Sequence, residues 1–138
     1  MIKKILNFCF SFAFLWTANI FSVYADADQV AKNISPRDSA KLIEQNQNNP
    51  DFKIVDVRTP AEYSEGHIQN SSLVDFYSKT FTEELQKLDR DKTYLVYCRS
   101  GNRSGKTLTM MQKLGFKKVY NMSGGFLAWN AEKLPAAK

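Results

Sequence analysis

From Ile5 to Tyr24 the chain carries no charged residue, and Lys3 and Lys4 stand just ahead of that run. Beyond Asp26 the pattern changes to short apolar runs divided by polar breaks that hold proline or glycine. Phe52 to Arg58 is rich in β-branched residues, and Thr93 to Tyr97 is apolar enough for a strand buried on both faces of a parallel sheet. Ser72 to Phe76 and Lys117 to Asn121 read as two further strands, and Asp26 to Asn33 as a leader or an edge element. Between them lie helical patterns. Ser35-Pro36 opens one that runs to about Gln47, and Thr59-Pro60 opens a short turn closed by Gly66. Thr82 to Leu88 is another, Leu108, Met111 and Leu114 mark a third stopped by Gly115, and Phe126, Leu127 and Trp129 sit on a last one. This alternation predicts βαβ units: a single α/β domain with a largely parallel sheet.

The basic start, apolar run and Val23-Tyr24-Ala25 exit read as a secretory signal over residues 1–25, cut after Ala25 or after Ala27. An exported protein, periplasmic in a Gram-negative cell, is the expectation, with residues 26–138 as one domain. The alternative is a membrane anchor, but Asn7, Ser11, Thr17, Asn19 and Ser22 dilute the run. Processing would leave 17 Lys+Arg against 14 Asp+Glu, a net +3, with both signs interleaved as in Lys87 to Lys92. Such mixing describes a solvated surface rather than a nucleic-acid stripe. Stable membrane association after processing is not expected. With 43% apolar residues the chain is too greasy for disorder, and 138 residues hold one core. His67 is the sole histidine, which removes His-rich metal sites and disfavours a Ser-His-Asp triad.

Cysteine usage then narrows the chemistry. Of Cys9 and Cys98, processing keeps only Cys98, so neither a disulfide scaffold nor a Cys-x-x-Cys redox pair is available. Cys98 directly follows the central strand and precedes a helix, where open α/β sheets collect their ligands. In Cys98-Arg99-Ser100-Gly101-Asn102-Arg103-Ser104, Gly101 lets the loop wrap toward the sulfur, and the first N–H groups of the helix can face an anion. Arg99 and Arg103 add charge that no acidic neighbour in the loop cancels. These surroundings favour a nucleophilic thiolate. Ser104 either bonds the sulfur or caps the helix, and capping is the expected role.

This loop resembles the active-site loop of single-domain rhodaneses, the thiosulfate sulfurtransferases. Asp56-Val57-Arg58 with Pro60, Glu62, Tyr63 and Gly66-His67-Ile68 resembles that family's first signature, and Asn121 to Trp129 its C-terminal one. A signal peptide ahead of one such domain is similar to the small periplasmic sulfurtransferases of the phage-shock type. The resemblance implies a three-layer fold with a five-stranded sheet, no metal or organic cofactor, and a double displacement. Cys98 would take the outer sulfur of thiosulfate as a persulfide and pass it to cyanide, a thiol or a protein acceptor. Arg99, Ser100, Gly101, Asn102 and Arg103 would bind the substrate. Asp56, Arg58 and Glu62 would form a buried or half-buried polar network that shapes the site, and His67 would be structural. Gly124 and Gly125 would allow close backbone passage and Trp129 would be core.

Two other readings stand beside this one. A sulfur carrier would use the same cysteine with a partner protein doing the turnover. A cysteine phosphatase would cradle phosphate in a similar loop, but such enzymes place five residues between cysteine and arginine, and Cys98 and Arg103 enclose four.

Overall fold

A computed structural model describes residues 29–138; the export signal and its cleavage points lie outside these residues. Strand β4 (Thr93–Tyr97) occupies the middle of the sheet because its residues are apolar on both faces. Tyr94 and Val96 point to one side, with Val55, Val57 and Val119, and are covered by Phe81, Leu85, Leu108 and Met111. Leu95 and Tyr97 point to the other, with Ile54 and Met122, under Phe126, Trp129, Ala40 and Ile43. These contacts place α3 (Phe81–Lys87) and α4 (Asn102–Lys113) on the first face, and α1 (Pro36–Gln45) and α5 (Gly125–Ala131) on the second. Helix α2 (Pro60–Glu65) buries no residue and serves as a connector at the strand ends.

The remaining strands are β1 (Val30–Ile34), β2 (Phe52–Asp56), β3 (Ser71–Leu73) and β5 (Lys118–Met122), in the order β1-β5-β4-β2-β3. All four pairings are parallel. The three layers and the five-stranded sheet match the expectation, and the uncertain N-terminal segment is an edge strand paired with β5. Helix starts follow their caps: Ser35 accepts the Asp38 N–H at 3.1 Å, and Thr59 with Glu62 forms a reciprocal capping box.

Several expected boundaries move, among them the end of β2, at Asp56 rather than Arg58, and α3, shifted one residue earlier. Helix α1 stops at Gln45, because Asn46 turns back to bond the carbonyls of Ile43 and Leu42. Strand β3 ends at Leu73 rather than Phe76, since the Asp75 carboxylate accepts the Tyr77 N–H at 2.9 Å and bends the chain. Strand β5 starts one residue later, at Lys118, and runs on to Met122.

A buried ion pair fastens the carboxyl end of β2. Asp56 is fully buried and receives the Arg58 main-chain N–H at 2.9 Å and its Nη2 at 2.7 Å. The same Nη2 donates to the Gly66 carbonyl at 2.7 Å, and the guanidinium lies 4.2 Å from the Phe126 ring centroid. The pair thus joins β2, the turn after α2, and α5. His67 belongs to this scaffold: its ring stacks on Tyr63 at 3.8 Å, and its backbone bridges to Ala137. Trp129 is buried, with its indole N–H on the Pro135 carbonyl. Removing one partner from a buried pair strands the other charge, so Asp56→Ala should lower unfolding stability by about 3–5 kcal/mol in denaturant titrations.

Candidate active site

Cys98 is the first residue past β4, and its sulfur is enclosed by the loop that follows. Gly101 takes the left-handed conformation, φ +96°, at the N-cap of α4, and that turn swings its N–H back onto Cys98 Sγ at 3.1 Å. Because Gly101 occupies the cap, Ser104 falls at the third helical position, and its hydroxyl donates to Sγ at 3.3 Å. Ser104 therefore does not cap the helix, contrary to expectation; it solvates the sulfur.

The carbonyl side of the loop is anchored as firmly. The N–H groups of Phe126 and Leu127, in the first turn of α5, donate to the carbonyls of Cys98 and Arg99 at 2.8 and 3.0 Å. Such an approach leaves no room for a side chain at Gly125, where a Cβ would lie 2.5 Å from the Cys98 oxygen. Gly125 thus serves the close backbone passage the sequence suggested, whereas at Gly124 a Cβ would meet the Ala128 side chain at 2.6 Å.

Burial of Cys98 pushes its thiol up, but the Ser104 hydroxyl and the N–H groups of Ser104, Ser100 and Gly101 outweigh that cost. The net effect holds the thiol below its ordinary value. These short-range donors, which stabilise a sulfur anion directly, are the means of activation.

The two loop arginines part company. Arg99 is exposed, whereas Arg103 makes a two-pronged ion pair with Glu62, both contacts at 2.8 Å. The expectation that nothing offsets the Arg103 charge is corrected: its counterion is 41 residues back in sequence, on α2. The same bond separates Glu62 from the Asp56–Arg58 pair with which the sequence grouped it. Arg103, backed by its Thr59 cap, holds the Glu62 carboxyl down to about 2. Arg103 also lies against the face of Tyr77, 5.4 Å from the ring centroid, a neighbour that no spacing in the sequence indicated. Ser100 and Asn102 are exposed at the loop's outer surface. Among the described residues no cluster of three His, Cys, Asp or Glu side chains could hold a metal ion.

The model of the rhodanese-like domain matches residues 39–132. The chain belongs to that family. A putative sulfurtransferase of Bacillus subtilis, YtwF, is 35% identical over 97 residues, covering 70% of this chain and 91% of the relative. A probable adenylyltransferase/sulfurtransferase of Mycobacterium tuberculosis, MoeZ, is 32% identical over 112 residues, 80% of this chain. This chain spans only 28% of that longer relative. Among solved structures, a rhodanese-related protein of Thermoplasma volcanium superposes with a TM-score of 0.64 at 29% identity, covering 77% of this chain and 97% of that one. Sulfur transfer is the general activity to which these relationships point, and the rhodanese-like α/β fold is shared with the solved relatives.

Two predictions follow from this geometry. Ser104→Ala removes one donor to a charged sulfur, so the pH midpoint of Cys98 alkylation by iodoacetamide should rise by about one unit. Glu62 titrates near 2 when folded against an ordinary 4.5, so its pairing stabilises the fold above pH 4.5 and is lost as pH falls toward 2. Thermal melts across that interval should fall less steeply for Glu62→Gln than for the unmodified protein.

Proposed function

We propose that this protein is a thiosulfate sulfurtransferase working through a persulfide on Cys98. The observation that carries the reading is the pair of donors on Sγ, from the Gly101 N–H and the Ser104 hydroxyl, at the carboxyl end of the central strand. A thiolate held this way needs no general base. It attacks the outer sulfur of thiosulfate, a new S–S bond forms, and the old one breaks with its electron pair leaving on sulfite. The charge stays balanced: a dianion and a thiolate become a persulfide anion and sulfite. The N–H groups of Ser100, Gly101 and Ser104 that held the thiolate then face the persulfide, as oxyanion-hole donors face a developing charge. Cyanide or a thiol removes the outer sulfur and restores Cys98.

Arg99 is the loop cation free to draw the dianionic donor to the mouth. Arg103, held by Glu62, keeps α2 against α4 and so sets the shape of the loop rather than meeting the anion alone. Cys98 exposes none of its surface, which suits a slender terminal sulfur and disfavours a bulky ester. The four-residue spacing between Cys98 and Arg103 points the same way.

We propose also that residues 1–25 direct export, so that the mature domain acts outside the cytoplasm. Among the described residues no helix is long and apolar enough to cross a membrane.

Steady-state kinetics test the proposal. Thiocyanate should form from thiosulfate and cyanide with parallel double-reciprocal lines, and Cys98→Ser should abolish it. Arg99→Ala should raise KM for thiosulfate about threefold to tenfold and leave the cyanide step unchanged, with the effect shrinking as salt is added. Intersecting lines, or turnover surviving in Cys98→Ser, would refute the persulfide route.

A further inference from the structure

Charges of both signs interleave along the chain as far as Asp91 and then separate. Thirteen of the fourteen acidic residues lie before Lys92, and from Lys92 to Ala131 there are seven cations and no acid. That acid-free run supplies β4, the Cys98 loop, α4, β5 and α5. Two of its cations are answered from earlier in the chain, Arg103 by Glu62 and Lys117 by Asp91. Lys106 and Lys113 of α4 are exposed and take part in none of the ion pairs among the described residues.

Helix α4 sorts its residues by face. Ser104, Thr107, Leu108 and Met111 are buried. Asn102, Lys106, Thr109 and Lys113 are all exposed, and steps of four, three and four residues set them in one line along the outer side. The line is about 16 Å long, with its lysines about 10 Å apart. It starts at Asn102, next to the Gly101 turn whose N–H bonds the Cys98 sulfur.

We propose that this ridge is a docking surface for a partner protein that presents an acidic segment to it. Charge complementarity selects that occupant. A phospholipid surface also attracts lysines, but binding it needs apolar side chains that enter the acyl boundary, and the residues between these lysines are polar. A nucleic acid spreads its charge evenly along a backbone. Helix α3 shares this face of the sheet and carries Glu83 and Glu84, which oppose so even a charge. A polypeptide can place carboxylates at the lysine spacing and neutral residues elsewhere. On a partner helix, acids seven residues apart repeat the Lys106–Lys113 distance. The surface needs no persulfide and stands apart from the reaction proposed above.

Fluorescence anisotropy of the folded protein, without thiosulfate or turnover, tests the proposal. The probe is a labelled, end-blocked, alanine- and glutamine-based helical peptide with glutamates seven residues apart. Its counterpart with glutamine in place of glutamate, a labelled oligothymidylate and phosphatidylglycerol vesicles are the alternatives. The glutamate peptide should bind roughly tenfold tighter than its counterpart at low salt, and less tightly as salt is added. Lys106→Gln and Lys113→Gln should each weaken it about threefold. Lys41→Gln removes the same charge from α1, on the other face of the sheet, and should leave binding within about 1.5-fold. Equal binding of the two peptides, or an equal loss in Lys41→Gln, would overturn the proposal. So would tighter binding to the oligothymidylate or the vesicles than to the glutamate peptide.

Discussion

A sulfur anion removed from water must find other donors, and the arrangement around Cys98 answers that constraint. Burial alone would keep the thiol protonated; three N–H groups and the Ser104 hydroxyl reverse the balance. Each donor depends on backbone that only the surrounding fold can hold in place. The left-handed turn at Gly101 aims one N–H at the sulfur, and the first turn of α5 fixes the Cys98 and Arg99 carbonyls at the start of the same loop. The helix that supplies donors to the sulfur and the helix that receives the loop's carbonyls lie on opposite faces of the sheet. The central strand, buried on both faces, is what brings them to one point.

Charge around this point is distributed with different purposes. Asp56 and Arg58 are buried and joined to the Gly66 turn and the Phe126 ring, so they fix the frame. Glu62 and Arg103 are partly exposed and fasten α2 to α4, closing the side of the loop. Both pairs are internally neutral, which leaves Arg99 as the loop's uncommitted cation. A site with a single free positive charge can attract an anionic donor.

Much of this was legible in the chain. Thr93 to Tyr97 announces a central strand because both of its faces are apolar, and the alternation of patterns on either side of it implies parallel pairing. Val30–Ile34 was ambiguous because an edge strand buries little and its residues carry only a weak signal. Gly101 in the loop, and Gly124 and Gly125 far from it, pointed to tight backbone crossings, although not to each other. The Glu62–Arg103 pair was not legible: nothing local links an α2 carboxylate to an α4 guanidinium 41 positions away. Ser104 was misread for a related reason. Whether a serine near a helix start caps it or bonds the sulfur depends on which residue is the cap, and the left-handed turn at Gly101 decides that. Tyr77 gave no sign either, since an aromatic after Asp75-Phe76 reads as ordinary core until the bend turns it outward.

The central claim is that the cradle around Cys98 holds a sulfur anion and then a persulfide. Mass spectrometry of the reduced, folded protein after exposure to thiosulfate alone tests it most directly, with peptide mapping to find the modified residue. The account predicts one added sulfur atom, located on Cys98 and removed by cyanide, and none on Cys98→Ser. An unmodified Cys98 in a folded, reduced sample would contradict it.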